Sequence, residues 1–211
     1  MKEVLCIQDL SCVGKCSLTV ALPVLSAMGC TCSVLPTGIM STHTAFADPH
    51  IHSLTEDIIP INTHWQKIGK RFDGILVGYL SSREQIDSVA AVLAENPVIT
   101  VLDPAMADGG KLYSGLSDDH PQHIKALCAK AQILLPNVTE ACLLTGIPYQ
   151  ETGDIFSAVF TGGLLCGLQG YDAGVLAAKF VERVLKNTKT PTPFGVKFET
   201  QLPWLWEQLS H

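Results

Sequence analysis

Acids and hydroxyls stand at the points of this chain where an apolar run gives way to a turn, and those are the positions from which they could do chemistry. Thr152-Gly153-Asp154 precedes the apolar stretch that opens at Ile155. Backbone N–H groups at a helix start attract anions, and glycine lets a ligand come close to them. A carboxylate two residues into such a site would stand beside a bound phosphoryl group; the same residues also make an ordinary N-cap. Asn137-Val138-Thr139-Glu140 has the same double meaning. Glu140 could bind Mg²⁺ directly or through water while Asn137 hydrogen-bonds phosphate, or the pair, three residues apart, is a capping box. Asp103 and Asp108 fall in one loop after an apolar run, where solvated turn acids are common. Ser41-Thr42-His43-Thr44 follows another such run, with a histidine that is either a surface or capping residue or a ligand. Val13-Gly14-Lys15-Cys16-Ser17 invites comparison with a Walker A loop. That loop needs glycine at position 9 and Ser or Thr at 16; the chain has Asp9 and Cys16, so this reading is excluded.

The elements that must position these residues alternate strand and helix. Glu3–Gln8, Thr31–Pro36, Asp73–Tyr79, Val98–Leu102 and Ile133–Leu135 are short, nearly continuous apolar runs that read as strands. Between them, Cys16–Met28 is apolar over a helical length and stops at Gly29. Pro60–Phe72 places Ile61, Trp65, Ile68 and Phe72 on one helical face. Ser81 and Glu84 offer a capping box for a helix carrying Ile86, Val89, Ala90 and Leu93. Ile124, Leu127, Cys128 and Ala131 line a further helix, and another runs from about Val138 to Leu144. Apolar strands separated by amphipathic helices predict an α/β fold: a mainly parallel central sheet with helices on both faces. In such sheets ligands lie at the carboxyl ends of the strands. The positions singled out are therefore Gln8-Asp9, Thr37, Gly78-Tyr79, Asp103-Pro104 and Pro136-Asn137. No repeat or low-complexity tract interrupts the chain, and a single domain over 1–211 is expected.

Composition narrows the class. Apolar residues make up 47% of 211 and charged residues 16%, which excludes an intrinsically disordered chain. A formal charge of −6 leaves no basic surface for a nucleic-acid backbone. The runs Leu18–Met28 and Ile155–Leu168, broken by Pro23 and diluted by glycines, fall short of the ~18–20 residues of a membrane span. Met1-Lys2-Glu3 leads into an apolar strand without a signal-peptide layout. Eight cysteines lie mostly within apolar segments and form no Cys-x2-Cys pair, so buried reduced thiols in a cytoplasmic protein are expected and a structural zinc is not.

The order of the motifs carries more than any one of them. CIQDLSCVGKCS, LPTGIMSTHT, GILVGYLSS, VLDPAMADGGKLY, LLPNVTEACLLTG and TGDIFSAV together resemble the pyridoxal kinases of the ribokinase-like superfamily. The resemblance covers residues 1–151 and resumes from Thr152 to about Glu199. It implies a three-layer ribokinase-like sandwich and ATP- and Mg²⁺-dependent phosphorylation of the 5′-hydroxymethyl group of pyridoxal, pyridoxine or pyridoxamine. By motif, Asp154 resembles the general base, and the backbone of Thr152 and Gly153 the anion hole. Asn137, Glu140 and Asp108 match positions around the phosphates, with Glu140 and Asp108 also around the metal. Asp9, Thr37, Ser41, His43, Thr44 and Tyr79 fall where the family holds the pyridine ring, and Gly195 and Val196 in a nucleotide-side loop. A homodimer is implied by the same analogy, with no nucleic-acid or membrane partner.

Three departures accompany the resemblance. Asp9 stands where many of these kinases have serine, and Glu151 where they have glycine. At ~30 residues per βαβ unit, nucleotide-side material on the order of 60–80 residues is missing at the 151/152 junction. Two other functions stay open beside the B6 kinase: a hydroxymethylpyrimidine kinase of thiamine synthesis, and a catalytically inactive vitamer-binding module.

Overall fold

A computed structural model describes residues 1–146, 153–188 and 197–209, with 153 and 154 described by their backbone. The chain divides into two compact units, Met1–Thr145 and Gly146–His211.

The first unit is built on strands β1 (Glu3–Val13), β2 (Thr31–Thr42), β3 (Ile51–Ser53), β4 (Gly74–Val77), β5 (Ile99–Leu102) and β8 (Ile133–Leu134), in the order β3-β2-β1-β4-β5-β8. Every pairing is parallel except β2 with β3. Helices α1 (Leu18–Ala27), α2 (Thr55–Lys67), α3 (Arg83–Glu95) and α4 (His120–Cys128) lie between strands, α5 (Val138–Thr145) follows β8, and a short hairpin, β6 (Ala107–Asp108) with β7 (Lys111–Leu112), follows β5. The chain steps from β1 to β2 in one direction, then from β4 to β5 to β8 in the other. Right-handed crossovers therefore place α1 on the face opposite α2, α3 and α4, the expected cover on both faces. The core is the seam between the sheet and α2, α3 and α4, where Leu5, Ile7, Leu35, Ile58, Ile75, Val77 and Val89 are buried.

Several boundaries differ from the sequence expectation for identifiable reasons. β1 and β2 run five and six residues beyond Gln8 and Pro36, because their polar ends still pair with each other through Val13 and Thr42. α2 begins at Thr55, not Pro60; the proline sits in the second turn, and Glu56 and Asp57 favour the amino end. The cap of α3 is Ser82, not Ser81: its Oγ accepts from Gln85 N at 3.3 Å, while Gln85 Oε1 accepts from Ser81 N at 2.9 Å. Of the cysteines, Cys6, Cys128 and Cys142 are buried as expected, whereas Cys12 and Cys166 are exposed.

The second unit contains α6 (Gly153–Leu165), α7 (Gly170–Asn187), a 3₁₀ turn (Glu199–Gln201) and α8 (Leu202–Leu209). Val159, Leu176, Ala177, Phe180 and Val184 form its own core. The 151/152 junction, where the missing material was expected, lies outside the described residues, as do Thr152, Gly195 and Val196. No described helix is long and apolar enough to cross a membrane.

Candidate active site

The reversal of strand order falls between β1 and β4, and a crevice opens there at the carboxyl ends of the parallel strands. A cavity of about 850 Å³ occupies it, walled by side chains that follow β1, β2, β4 and β5 and by one face of α1. Of the residues expected at a site, Asp9, His43, Thr44, Tyr79 and Asp108 line this cavity together. Asp103, Tyr113, Gln8 and Ser11 join them.

A slip in register makes this grouping possible. β1 pairs with β2 regularly up to Gln8 with Pro36, then resumes one residue out of step at Leu10 with Ile39. Consecutive residues of a regular strand face opposite sides, and a bulge re-aims them. Here the extra residue is on β2, and beside the slip the consecutive Gln8 and Asp9 of β1 both line the cavity. Gln8 packs across Gly78, where a Cβ would lie 2.9 Å from Gln8 Cγ, and its Oε1 is buried without a hydrogen-bond partner.

Asp9 is 3% exposed and takes two hydroxyl donors, Ser17 Oγ at 2.5 Å on Oδ1 and Ser11 Oγ at 3.1 Å on Oδ2. Ser17 stands at the N-cap of α1 with φ 47° and ψ −130°, and its hydroxyl goes to Asp9 instead of capping the helix. A non-glycine residue held in that region is strained, a feature that concentrates at functional sites. Tyr79 is pushed up to about 12, first by burial and then by the negative charge of Asp9, so it is a neutral phenol at physiological pH. Its ring lies 6.4 Å from that of Tyr113.

His43 is seated by the turn after β1. Gly14 has φ 123°, and a Cβ there would come within 2.9 Å of His43 Cδ2. Phe46 flanks the ring at 4.9 Å, and the backbone N–H of Ala45 donates to Nδ1 at 3.4 Å. Nδ1 is thus the acceptor, and the proton of the neutral ring resides on Nε2.

Among the other expected residues, Thr37, Ser41, Asn137 and Glu140 make hydrogen bonds within the frame of the first unit. Thr37, 1% exposed, donates from Oγ1 to the carbonyl of Tyr79 at 3.4 Å and accepts at its own carbonyl from Gln85 Nε2 at 2.7 Å. Ser41 Oγ, near the end of β2, accepts from His50 N of the β2–β3 connection at 2.9 Å. Asn137 and Glu140 form the capping box: Asn137 N donates to Glu140 Oε2 at 2.9 Å and Glu140 N to Asn137 Oδ1 at 3.0 Å. Glu140 Oε1 also accepts from Met106 N at 3.1 Å and Ala107 N at 3.4 Å. Its carboxyl is nonetheless held above the usual range, chiefly by burial. Burial likewise raises Asp103. Asp108 is exposed at the cavity, with Oδ1 accepting from Gly109 N at 2.8 Å. Asp154 and Gly153 open α6 in the second unit. Sequence reasoning missed Ser11, Ser17 and Tyr113; the available signal was that Ser11 and Ser17 follow the first strand and Tyr113 follows the loop of Asp103 and Asp108.

Comparison with known proteins meets this geometry. The family model of phosphomethylpyrimidine kinase matches residues 20–155, well over half of the chain. The chain belongs to that kinase family. A protein from Bacteroides thetaiotaomicron designated a phosphomethylpyrimidine kinase, crystallised with pyridoxal, is 26% identical at TM-score 0.70, over 97% of this chain and 95% of that one. The pyridoxal kinase of Lactobacillus plantarum is also 26% identical, at TM-score 0.68 over 99% and 98%. The pyridoxal kinase of Leishmania donovani, in complex with ADP and pyridoxamine, is 18% identical at TM-score 0.66 over 98% and 96%, and speaks to the fold alone. No curated protein matches the chain. The expected ribokinase-like fold is thereby established for this family member.

Proposed function

We propose that this kinase transfers the γ-phosphoryl group of ATP to the 5′-hydroxymethyl group of a B6 vitamer: pyridoxal, pyridoxine or pyridoxamine. The observation that carries the reading is the convergence of Asp9, His43, Thr44 and Tyr79 on one cavity at the strand-order reversal. Its volume of about 850 Å³ lies in the range of roughly 300–1,000 Å³ usual for small-molecule sites. Aromatic and hydrogen-bonding groups there suit a flat, polar-edged ring.

In this reading the ring lies against Tyr79, with His43 Nε2 and the Thr44 hydroxyl as donors to its substituents. The attacking hydroxyl forms the new P–O bond while the bond to ADP breaks, and Asp154 takes the hydroxyl proton. The backbone of Thr152 and Gly153 receives the migrating phosphoryl group. Phosphoryl transfer depends on alignment and charge neutralisation more than on covalent help. Bound Mg²⁺ with ATP would supply that neutralisation. The donors present fit a metal held mainly by phosphates and water: no described group of three His, Cys, Asp or Glu side chains could hold one alone. Asp108 is the acid at the cavity, whereas Glu140 spends both oxygens on backbone N–H groups and would act through water.

A second reading, phosphorylation of a hydroxymethylpyrimidine, is favoured by the family model itself. Steady-state assay of ADP release with each alcohol separates the two. With the preferred alcohol, Asp154→Asn should lower kcat by about 10²–10⁴ while leaving ring binding intact. Unchanged turnover would remove the base assignment.

A further inference from the structure

We infer that Asp9 makes the cavity select its ring substrate in a nitrogen-protonated form, a specificity that rests on the kinase reading above. A buried carboxylate is costly unless it is paired and hydrogen-bonded. Asp9 is 3% exposed, and its hydrogen-bond donors are the neutral hydroxyls of Ser11 and Ser17. Among the described residues no Lys, Arg or His forms an ion pair with it. Lys15 lines the same cavity, exposed and unpaired with Asp9. The cation missing from the protein side is thus the complement that a ligand can bring.

The surroundings point the same way. The two serines orient the carboxylate from its own strand and from the start of α1, where Ser17 has a positive φ. Asp9 lines the cavity where the β1–β2 register slips, with Thr37 and Gly38 of β2 opposite it. The charged and titratable groups facing that space are Lys15 and Cys16 from the turn after β1, His43 after β2, Tyr79 after β4, and Asp103, Asp108 and Tyr113 beyond β5. The cavity lining holds three carboxylic acids, Asp9, Asp103 and Asp108, against one lysine, Lys15, and so carries a negative field. A charge-assisted N⁺–H···O⁻ bond to Asp9 is the strong contact such a field rewards. The ligand class is a heteroaromatic alcohol with a protonated ring nitrogen or an ammonium substituent.

Calorimetric titration with pyridoxine tests this, run above the pH at which the free ligand loses its ring proton, in two buffers of different ionisation enthalpy. The control ligand is the benzene analogue that lacks the ring nitrogen. Wild-type protein should take up close to one proton per pyridoxine bound and none with the analogue. Asp9→Asn should abolish the uptake and weaken pyridoxine binding about 10–100-fold, while changing analogue binding less than about threefold; Asp9→Ser repeats the comparison should the first variant not fold. Pyridoxine binding without proton uptake, or equal weakening of both ligands by the variants, overturns the inference alone. No pyridoxine binding at all overturns the kinase reading and the inference with it.

Discussion

At the scale of single residues, Gly14 and His43 act as one unit. The left-handed backbone at Gly14 clears the space into which the imidazole packs. Gly14→Ala would strain that backbone and push the ring, so a KM for the ring alcohol raised about tenfold is expected, with stability lower by about 1–3 kcal/mol. Steady-state kinetics and a thermal melt check both. Asp103 yields a prediction of opposite sign. Burial raises its pKa above 3.8, so its ionised form disfavours the folded state at neutral pH, and that cost disappears as the pH falls through the native and then the unfolded pKa. Asp103→Asn should therefore raise the Tm at pH 7 and leave it near wild type below pH 3.8. Melts at both pH values decide it. A stabilised variant that lost turnover would mark Asp103 as a residue kept for chemistry at the expense of stability.

At the scale of elements, polar side chains buried in the frame hold the loops that carry the site. Gln85 of α3 reaches Thr37 O at 2.7 Å, Ser53 Oγ at 3.2 Å and Ser81 N at 2.9 Å, joining β2, β3 and the loop after β4. Glu140 does the same for α5 and the loop after β5, at 1% exposure. Glu140→Ala would leave three backbone N–H groups of Met106, Ala107 and Asn137 without that acceptor. A loss of about 2–5 kcal/mol is expected, read from chemical denaturation. The central strands were legible in the sequence as short apolar runs and α2 to α4 from a periodic apolar face. By contrast α1, which buries only Leu18, and α5, which buries Thr139, Glu140 and Cys142, were legible from apolar length and a capping pattern. β3 and the β6–β7 hairpin were not. β3 is three exposed residues, His52 among them, paired only at an edge, and the hairpin strands are two residues each, too short for any period. The site was legible as positions, through the rule that ligands gather at strand ends. It was not legible as geometry: nothing in Pro36-Thr37-Gly38-Ile39 announces the extra residue of β2 opposite Asp9, nor that Thr37, expected at the ring, ties β2 to the carbonyl of Tyr79.

At the scale of the whole molecule, the two units have separate cores. The cavity belongs to the first, whereas Asp154 opens a helix of the second. Phe180, 1% exposed and stacked 6.3 Å from Trp204, anchors the second core. Phe180→Ala should cost about 3–5 kcal/mol there. Hydrogen exchange should show amides of α6 and α7 losing protection while those of β1 and β4 keep it; loss across both sets would mean a single cooperative unit. The most direct test of the kinase account is a competition. Purified protein, ATP and Mg²⁺ are incubated with equal amounts of pyridoxal, pyridoxine, pyridoxamine and hydroxymethylpyrimidine, and the products are resolved by mass. The account predicts 5′-phosphates of the B6 vitamers as the leading products; no phosphorylated vitamer, under conditions where added pyridoxal kinase forms it, would contradict it.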